Sequence, residues 1–341
     1  MRVSIRDVAE RAGTGRMTVS NVLNGREGRV SPAMRSRVWQ AVEELGYVPV
    51  ASPISQKKRQ PTRTIGVVFD TFNPADHGLG TAMFSGMTEA AREQDYDLLS
   101  VLRSPRQWNG SQAEVALFDG RADCFIFLSS FEGSREATLR DLVAHGVPCV
   151  AAFRRDVPQG VATVDGDHEG AMELCIAHLT QLGHTRIAFI GGDSTRNAGH
   201  RREEGFRRSM EGRGLLQGEA WIRNVGHFMP SEEQATDLAR YLINLKATAA
   251  VCASDWLATR IWDALQALGV RVPQDISLTG FDDLWIAKAH NLTTISVPAR
   301  EMGHLCVQLC DQLVQDPATT PLHHILPVQL EVRSSTAPPT C

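Results

Sequence analysis

The sequence predicts a small all-α helix-turn-helix headpiece followed by an α/β body of two doubly wound parallel-sheet lobes. Three observations carry that prediction. Before Thr64 the chain holds short amphipathic segments at helical spacing. From Thr64 onward, short apolar runs alternate with amphipathic stretches, as parallel sheets covered by helices require. The alternation runs twice, which implies two lobes with a cleft between them.

Ile5, Val8, Ala9 and Ala12 define the apolar stripe of a first helix. Ser4 stands at its N-cap, Asp7 completes a capping-box variant, and Gly13 ends it. A second helix runs from about Arg16 to Leu23, with Val19, Val22 and Leu23 as its stripe and Asn24-Gly25 as its stop. Ser31 and Pro32 open a third, striped by Met34, Val38, Ala41, Val42 and Leu45 and closed by Gly46. Two helices joined by a tight glycine-containing turn make a helix-turn-helix. Off its stripe the second carries Arg16, Met17, Thr18, Ser20 and Asn21, with no acid among them. Arg takes guanine bidentately, Asn pairs with adenine, and Ser and Thr hold phosphates.

Charge sorts the chain the same way. Residues 1–63 hold 12 Lys and Arg against 5 Asp and Glu, a net of +7, while the rest holds 23 against 34, a net of −11. A basic front on an acidic body aims the front at DNA. No apolar run reaches membrane-spanning length, and the start lacks a signal-peptide core, so the expected location is the cytoplasm. The 7 cysteines are scattered, and no spacing among them suits zinc or a redox motif. Buried reduced thiols are the expectation, with no metal and no cofactor.

In the body, the strands "GVVF", "CFIFL", "AFIGG" and "AAVC" are near-continuous apolar runs, as sheets buried on both faces require. Ligands of such sheets bind beyond the carboxyl ends of the strands. G-x-S-x-G, H-E-x-x-H and P-loop motifs are absent, which argues against an enzyme.

Several stretches are diagnostic together: "SIRDVAERAG", "TVSNVLNG", "RVSPAMRSRVWQAVEELGYVP", "HLTQLGHTRIAFIGG" and "DISLTGFDDL…LTTISVP". They resemble the lactose/galactose repressor (LacI/GalR) family of bacterial transcription regulators, and the likeness covers nearly the whole chain. It implies a headpiece over 1–47, a hinge over 48–63 and a body over 64–341 with the fold of periplasmic sugar-binding proteins. There the chain crosses between lobes three times. This gives a first lobe of about 64–162 plus 291–321 and a second of about 163–290 plus 322–341.

The resemblance also implies roles. Arg16, Met17 and Asn21 would meet base edges, Asn21 standing where the family usually has Arg. Ser4, Thr18, Ser20, Asn24, Ser31 and Tyr47 would meet phosphates. Family hinges fold into a short helix that drives a leucine pair into the minor groove. Here Val48 to Thr64 holds three prolines and Lys57-Lys58-Arg59. Either a helix shifted to start at Pro53 presents Ile54 as the wedge, or the segment is a flexible basic tether.

For the effector, the likeness implies Arg196 and Arg202, in the purine-repressor arrangement, with Phe228 stacking on the ligand. It adds Ser254, Asp255, expected to cap the next helix and line the cleft, and Asp282 as acceptor. An Arg fork in a cleft suits a carboxylate, phosphate or carbonyl-bearing ring. The implied protein is a repressor bound to a pseudo-palindromic operator under control of a sugar or purine-like effector. It would act as a homodimer, or as two dimers in a tetramer. The alternative is a solute-binding sensor whose atypical hinge weakens or alters DNA binding.

Overall fold

The structure, a computed structural model, describes residues 3–23, 30–45, 47, 61–69, 78–102, 117, 120–128, 134–192, 197–226 and 228–340. The headpiece is three helices: α1 (Ile5–Arg11), α2 (Arg16–Leu23) and α3 (Pro32–Leu45). Ser4 caps α1 in a full capping box with Asp7, and Gly13 takes the left-handed conformation, φ 62°, that ends it. Ser31 Oγ accepts from Met34 N at 3.3 Å at the start of α3. Val8, Val19, Val22, Val38 and Val42 meet in one core that also takes in Tyr47. Arg37 of α3 donates to the Ala12 carbonyl at 2.6 Å and to that of Gly13 at 3.4 Å, tying the turn to the third helix.

The body elements follow in order. The first run is β1 (Thr64–Phe69), α4 (Leu79–Glu93), β2 (Asp97–Leu102), β3 (Cys124–Leu128), α5 (Ser134–Ala144), β4 (Cys149–Ala152) and β5 (Ala162–Gly166). Next come α6 (His168–Gln181), β6 (Ile187–Gly191), α7 (Asn197–Glu211), β7 (Ile222–Asn224), α8 (Glu232–Asn244), β8 (Ala249–Cys252) and α9 (Asp255–Ala267). Last are β9 (Ser277–Phe281), α10 (Trp285–His290), β10 (Thr293–Ser296), α11 (Ala299–Gln315), β11 (His323–Leu326) and β12 (Gln329–Glu331).

Two six-stranded sheets result, ordered β11-β5-β4-β3-β1-β2 and β12-β10-β9-β8-β6-β7. All pairings are parallel except β12 against β10. Strands β3, β6 and β8 are buried along nearly their whole length, because helices cover both faces. Among the described residues, six cysteines are free and buried within the lobes.

The structure corrects three expectations. The crossings fall a few residues later than the resemblance implied. Strand β5 through Gly166 still belongs to the first sheet, β10 through Ser296 to the second, and β11 to the first again. Strands β5, β7, β10, β11 and β12 mix polar with apolar residues and so lack the continuous apolar run by which the equally short β3, β6 and β8 show in the sequence. Asp255 does not cap α9; the extended residue Ser254 does, its Oγ accepting from Leu257 N at 3.1 Å. Asn24, Gly46, residues 48–60 of the hinge with Pro53 and Ile54, and Arg196 lie outside the described residues.

Candidate effector site and nucleic-acid interface

The carboxyl ends of β5, β8 and β9 converge on one buried side chain, Arg202 of α7. Its guanidinium lies over the Phe281 ring at 3.5 Å and stands 5.7 Å from the centre of Phe228. One nitrogen donates to the Ala253 carbonyl. Nε donates to His168 Nδ1 at 3.3 Å. Nη2 faces Asp282 Oδ1 at 3.6 Å, an ion-pair distance beyond hydrogen-bond reach. Burial pushes the Arg202 pKa below the usual arginine value, against the pull of Asp282, Asp165 and Asp255.

Asp282 follows β9 in a turn where it and Asp283 both take positive φ, 104° and 51°. Such strain persists only where the surroundings impose it. Oδ1 of Asp282 is buried and has no hydrogen-bond partner among the described residues. Burial raises its pKa above the ordinary carboxylate value, although the Arg202 charge opposes the rise. The neighbouring Asp283 is engaged, accepting from Arg333 Nη2 at 2.6 Å.

Asp255, an expected cleft residue, is fully buried. Its Oδ2 accepts from Leu284 N at 2.7 Å and its Oδ1 from Thr294 Oγ1 at 2.5 Å. It therefore braces the turn that carries Asp282. Burial, then the Asp282 charge, push its pKa well above the usual range. Ser254 is buried too, and its hydroxyl donates to the Phe228 carbonyl at 3.0 Å. That bond fixes the loop that holds the half-buried Phe228 ring.

Sequence reasoning missed a second group at the first crossing between lobes. His168, the first residue of α6, stacks on Phe281 with ring centres 5.6 Å apart. Its Nε2 lies 3.1 Å from Asp165 Oδ1. Arg155, after β4, donates from Nε to Asp165 Oδ2 at 3.0 Å, from Nη1 to Glu169 Oε2 at 2.9 Å, and from Nη2 to the Gly166 carbonyl at 2.7 Å. Arg201 pairs with Glu169 at 3.1 Å. Burial alone would raise the Asp165 pKa, but the hydrogen bond with His168 and the Arg155 charge hold it below the ordinary value. The available signal was the crowding of Asp165, His168 and Glu169 at a predicted crossing.

On the headpiece, Arg16 and Met17 of α2 are exposed, Met17 at 75%, while Thr18, Ser20 and Asn21 are half-buried. Ser4 and Ser31 are exposed and already serve as caps. Tyr47 packs into the headpiece core. The face is free of acids in its first turn, so the helix presents donors to a polyanion without opposing charge. Among the described residues, no group of three or more His, Cys, Asp or Glu is placed to hold a metal ion. No described helix is long and apolar enough to cross a membrane.

A helix-turn-helix joined to a two-lobed ligand-binding body defines a ligand-responsive DNA-binding regulator. Residues 4–50 match the family described as bacterial regulatory proteins, lacI family, and residues 176–336 match the periplasmic binding protein-like domain. The HTH-type transcriptional regulator MalR of Streptomyces coelicolor is 30% identical over 99% of this chain and 97% of its own length. The HTH-type transcriptional repressor PurR of Aliivibrio fischeri is 30% identical over 92% of each. Among solved structures, the regulator CelR in complex with cellobiose superposes with a TM-score of 0.73, at 28% identity over 98% of this chain and all of that one. The lac repressor dimer bound to operator and an anti-inducer gives 0.69 at 25% identity, over 99% of this chain and all of that one. The chain belongs to the LacI family of HTH-type transcription regulators.

Proposed function

We propose that the chain represses transcription as a homodimer on a pseudo-palindromic operator, and that a neutral, hydroxyl- or amide-bearing small molecule in the cleft controls it. The observation that carries the ligand class is the Asp282 and Arg202 pair. A buried carboxylate oxygen with an open acceptor site faces a guanidinium 3.6 Å away. A group seated there must donate to Asp282 and accept from Arg202. Sugar hydroxyls do both, and so do the paired N–H and C=O of a purine. An anionic ligand would place its charge against Asp282. This narrows the wider range that an arginine fork alone allows.

Arg16, Met17 and Asn21 are the proposed base-reading residues, with Ser4, Thr18, Ser20 and Ser31 on the phosphates. Differential affinity of the ligand for two lobe arrangements then sets the spacing of the paired headpieces. A thermal-shift screen with sugars, purine bases, nucleosides and sugar phosphates tests the ligand class. Stabilisation by a neutral sugar or purine, lost in Arg202→Met, supports it; a response to sugar phosphates alone would overturn it. Footprinting on the chain's own upstream DNA tests the regulator reading. The expected result is a protected inverted repeat whose affinity falls with salt at a log–log slope of roughly −5, from about six phosphate contacts per dimer. Equal affinity for scrambled duplex would favour the sensor alternative.

A further inference from the structure

We propose that His168 is a positioning residue. Poised between Asp165 and Arg202, it orients the effector's anchor and ties it to the crossing between lobes. The inference rests on reading Arg202 as that anchor.

The hydrogen bonds fix the imidazole's form. Arg202 Nε donates to Nδ1, so Nδ1 carries no proton. The proton sits on Nε2, facing Asp165 Oδ1 at 3.1 Å. Asp165 belongs to β5 of the first lobe, whereas His168 and Arg202 belong to the second. The relay therefore spans the boundary. At that boundary Gly166 is pinned on both sides: its N–H donates to Asp165 Oδ1 at 2.9 Å, and its carbonyl accepts from Arg155 Nη2 at 2.7 Å. Arg155 also bridges Asp165 to Glu169 of α6. A ligand that draws the Arg202 guanidinium toward itself thus pulls on His168. Through Asp165 it also loads the bonds that hold the backbone as it passes between lobes. Phe281 backs both the imidazole and the guanidinium, so neither can swing away behind the site.

Two substitutions separate this from a packing role. In His168→Gln the amide can donate to Asp165 and accept from Arg202, reproducing the neutral tautomer. In His168→Phe the ring can still stack on Phe281, and both polar bonds are lost. Spin labels on Arg92→Cys and Gln266→Cys, exposed positions of the first and second lobes, report the interlobe distance without any ligand. The expected result is a single narrow distance in the parent and in His168→Gln, and a broadened or split one in His168→Phe. Identical distributions in both variants would overturn the proposal. Should His168→Phe fail to fold, 15N-histidine spectra of the unsubstituted protein decide the matter. The His168 signal, assigned by its loss in His168→Gln, must show a protonated Nε2 and an unprotonated Nδ1. The opposite tautomer or the doubly protonated ring overturns the relay. Neither readout involves DNA or effector, so failure of the proposed function would show in the ligand screen and footprint while leaving these results intact.

Discussion

The two lobes are built on one plan and used differently. Their strand orders correspond position by position, yet the sixth strand is parallel in the first sheet and antiparallel in the second. Each has a pair of helices crossing at a glycine. In the first, Gly86 of α4 and Gly303 of α11 let backbones touch: a Cβ on Gly303 would sit 2.0 Å from the Met83 carbonyl oxygen. In the second, a Cβ on Gly205 of α7 would meet Glu169 Cα at 2.9 Å and its oxygen at 3.1 Å. Glu169 is a partner of Arg155 and Arg201, so the second crossing lies against the site. The same packing device is purely architectural in one lobe and adjoins function in the other.

Alanine at the two glycines is the strongest way to break that comparison. Gly303→Ala meets backbone that cannot rotate aside and should lose about 3 kcal/mol, the upper part of the overpacking range, read from the denaturant midpoint. Gly205→Ala has a looser clash and should lose about 1–2 kcal/mol. It should also displace Glu169 and blunt the thermal shift given by whichever ligand stabilises the parent. If Gly303→Ala blunted that shift while Gly205→Ala left it intact, the division of labour would be wrong.

Asp255 sharpens the contrast on the second lobe's side. Its folded pKa stands well above the ordinary carboxylate value. A raised carboxyl contributes stability that is fully present below the unfolded pKa and is lost as pH rises through the folded value. Asp255→Asn keeps an acceptor for Leu284 N and removes that loss. The stability of the variant relative to the parent should therefore climb from acid toward neutral pH, measured as the difference in melting temperature. A flat difference would mean the buried carboxyl is no burden.

Legibility in the sequence followed locality. Val8, Val19 and Val38 announce the headpiece because a helix writes its stripe at fixed spacing, and the apolar runs of β3, β6 and β8 announce the sheets. Ser4 and Asp7 were legible as a cap for the same reason. Arg202 and Asp282 came through the family likeness, since each lies in a distinctive loop. Arg155, Asp165 and His168 did not. Their bonds depend on how the chain turns at Gly166, and no spacing rule encodes a contact between a strand end, a helix start and α7. Asp255 misled because an Asp at a helix start reads as a cap, whereas burial against Thr294 gave it a different task.

The mildest test lies in the first lobe, at Tyr96. Its hydroxyl donates to Asp311 Oδ1 at 3.0 Å, and the Arg63 guanidinium lies 4.6 Å from the ring centre. Burial, with the Asp311 hydrogen bond, pushes its pKa up to about 12. Tyr96→Phe loses one partly solvated hydrogen bond and should lose about 0.5–1 kcal/mol near neutral pH. The sign of its pH dependence matches that of Asp255, but the window differs. The tyrosine's contribution is whole below the ordinary tyrosine value of about 10 and fades as pH rises toward about 12. Parent and Tyr96→Phe should thus converge in stability between those values, while ligand response stays equal in both. Convergence accompanied by a changed ligand response would mean that α11, which carries Asp311, transmits to the cleft and that the first lobe is more than architecture.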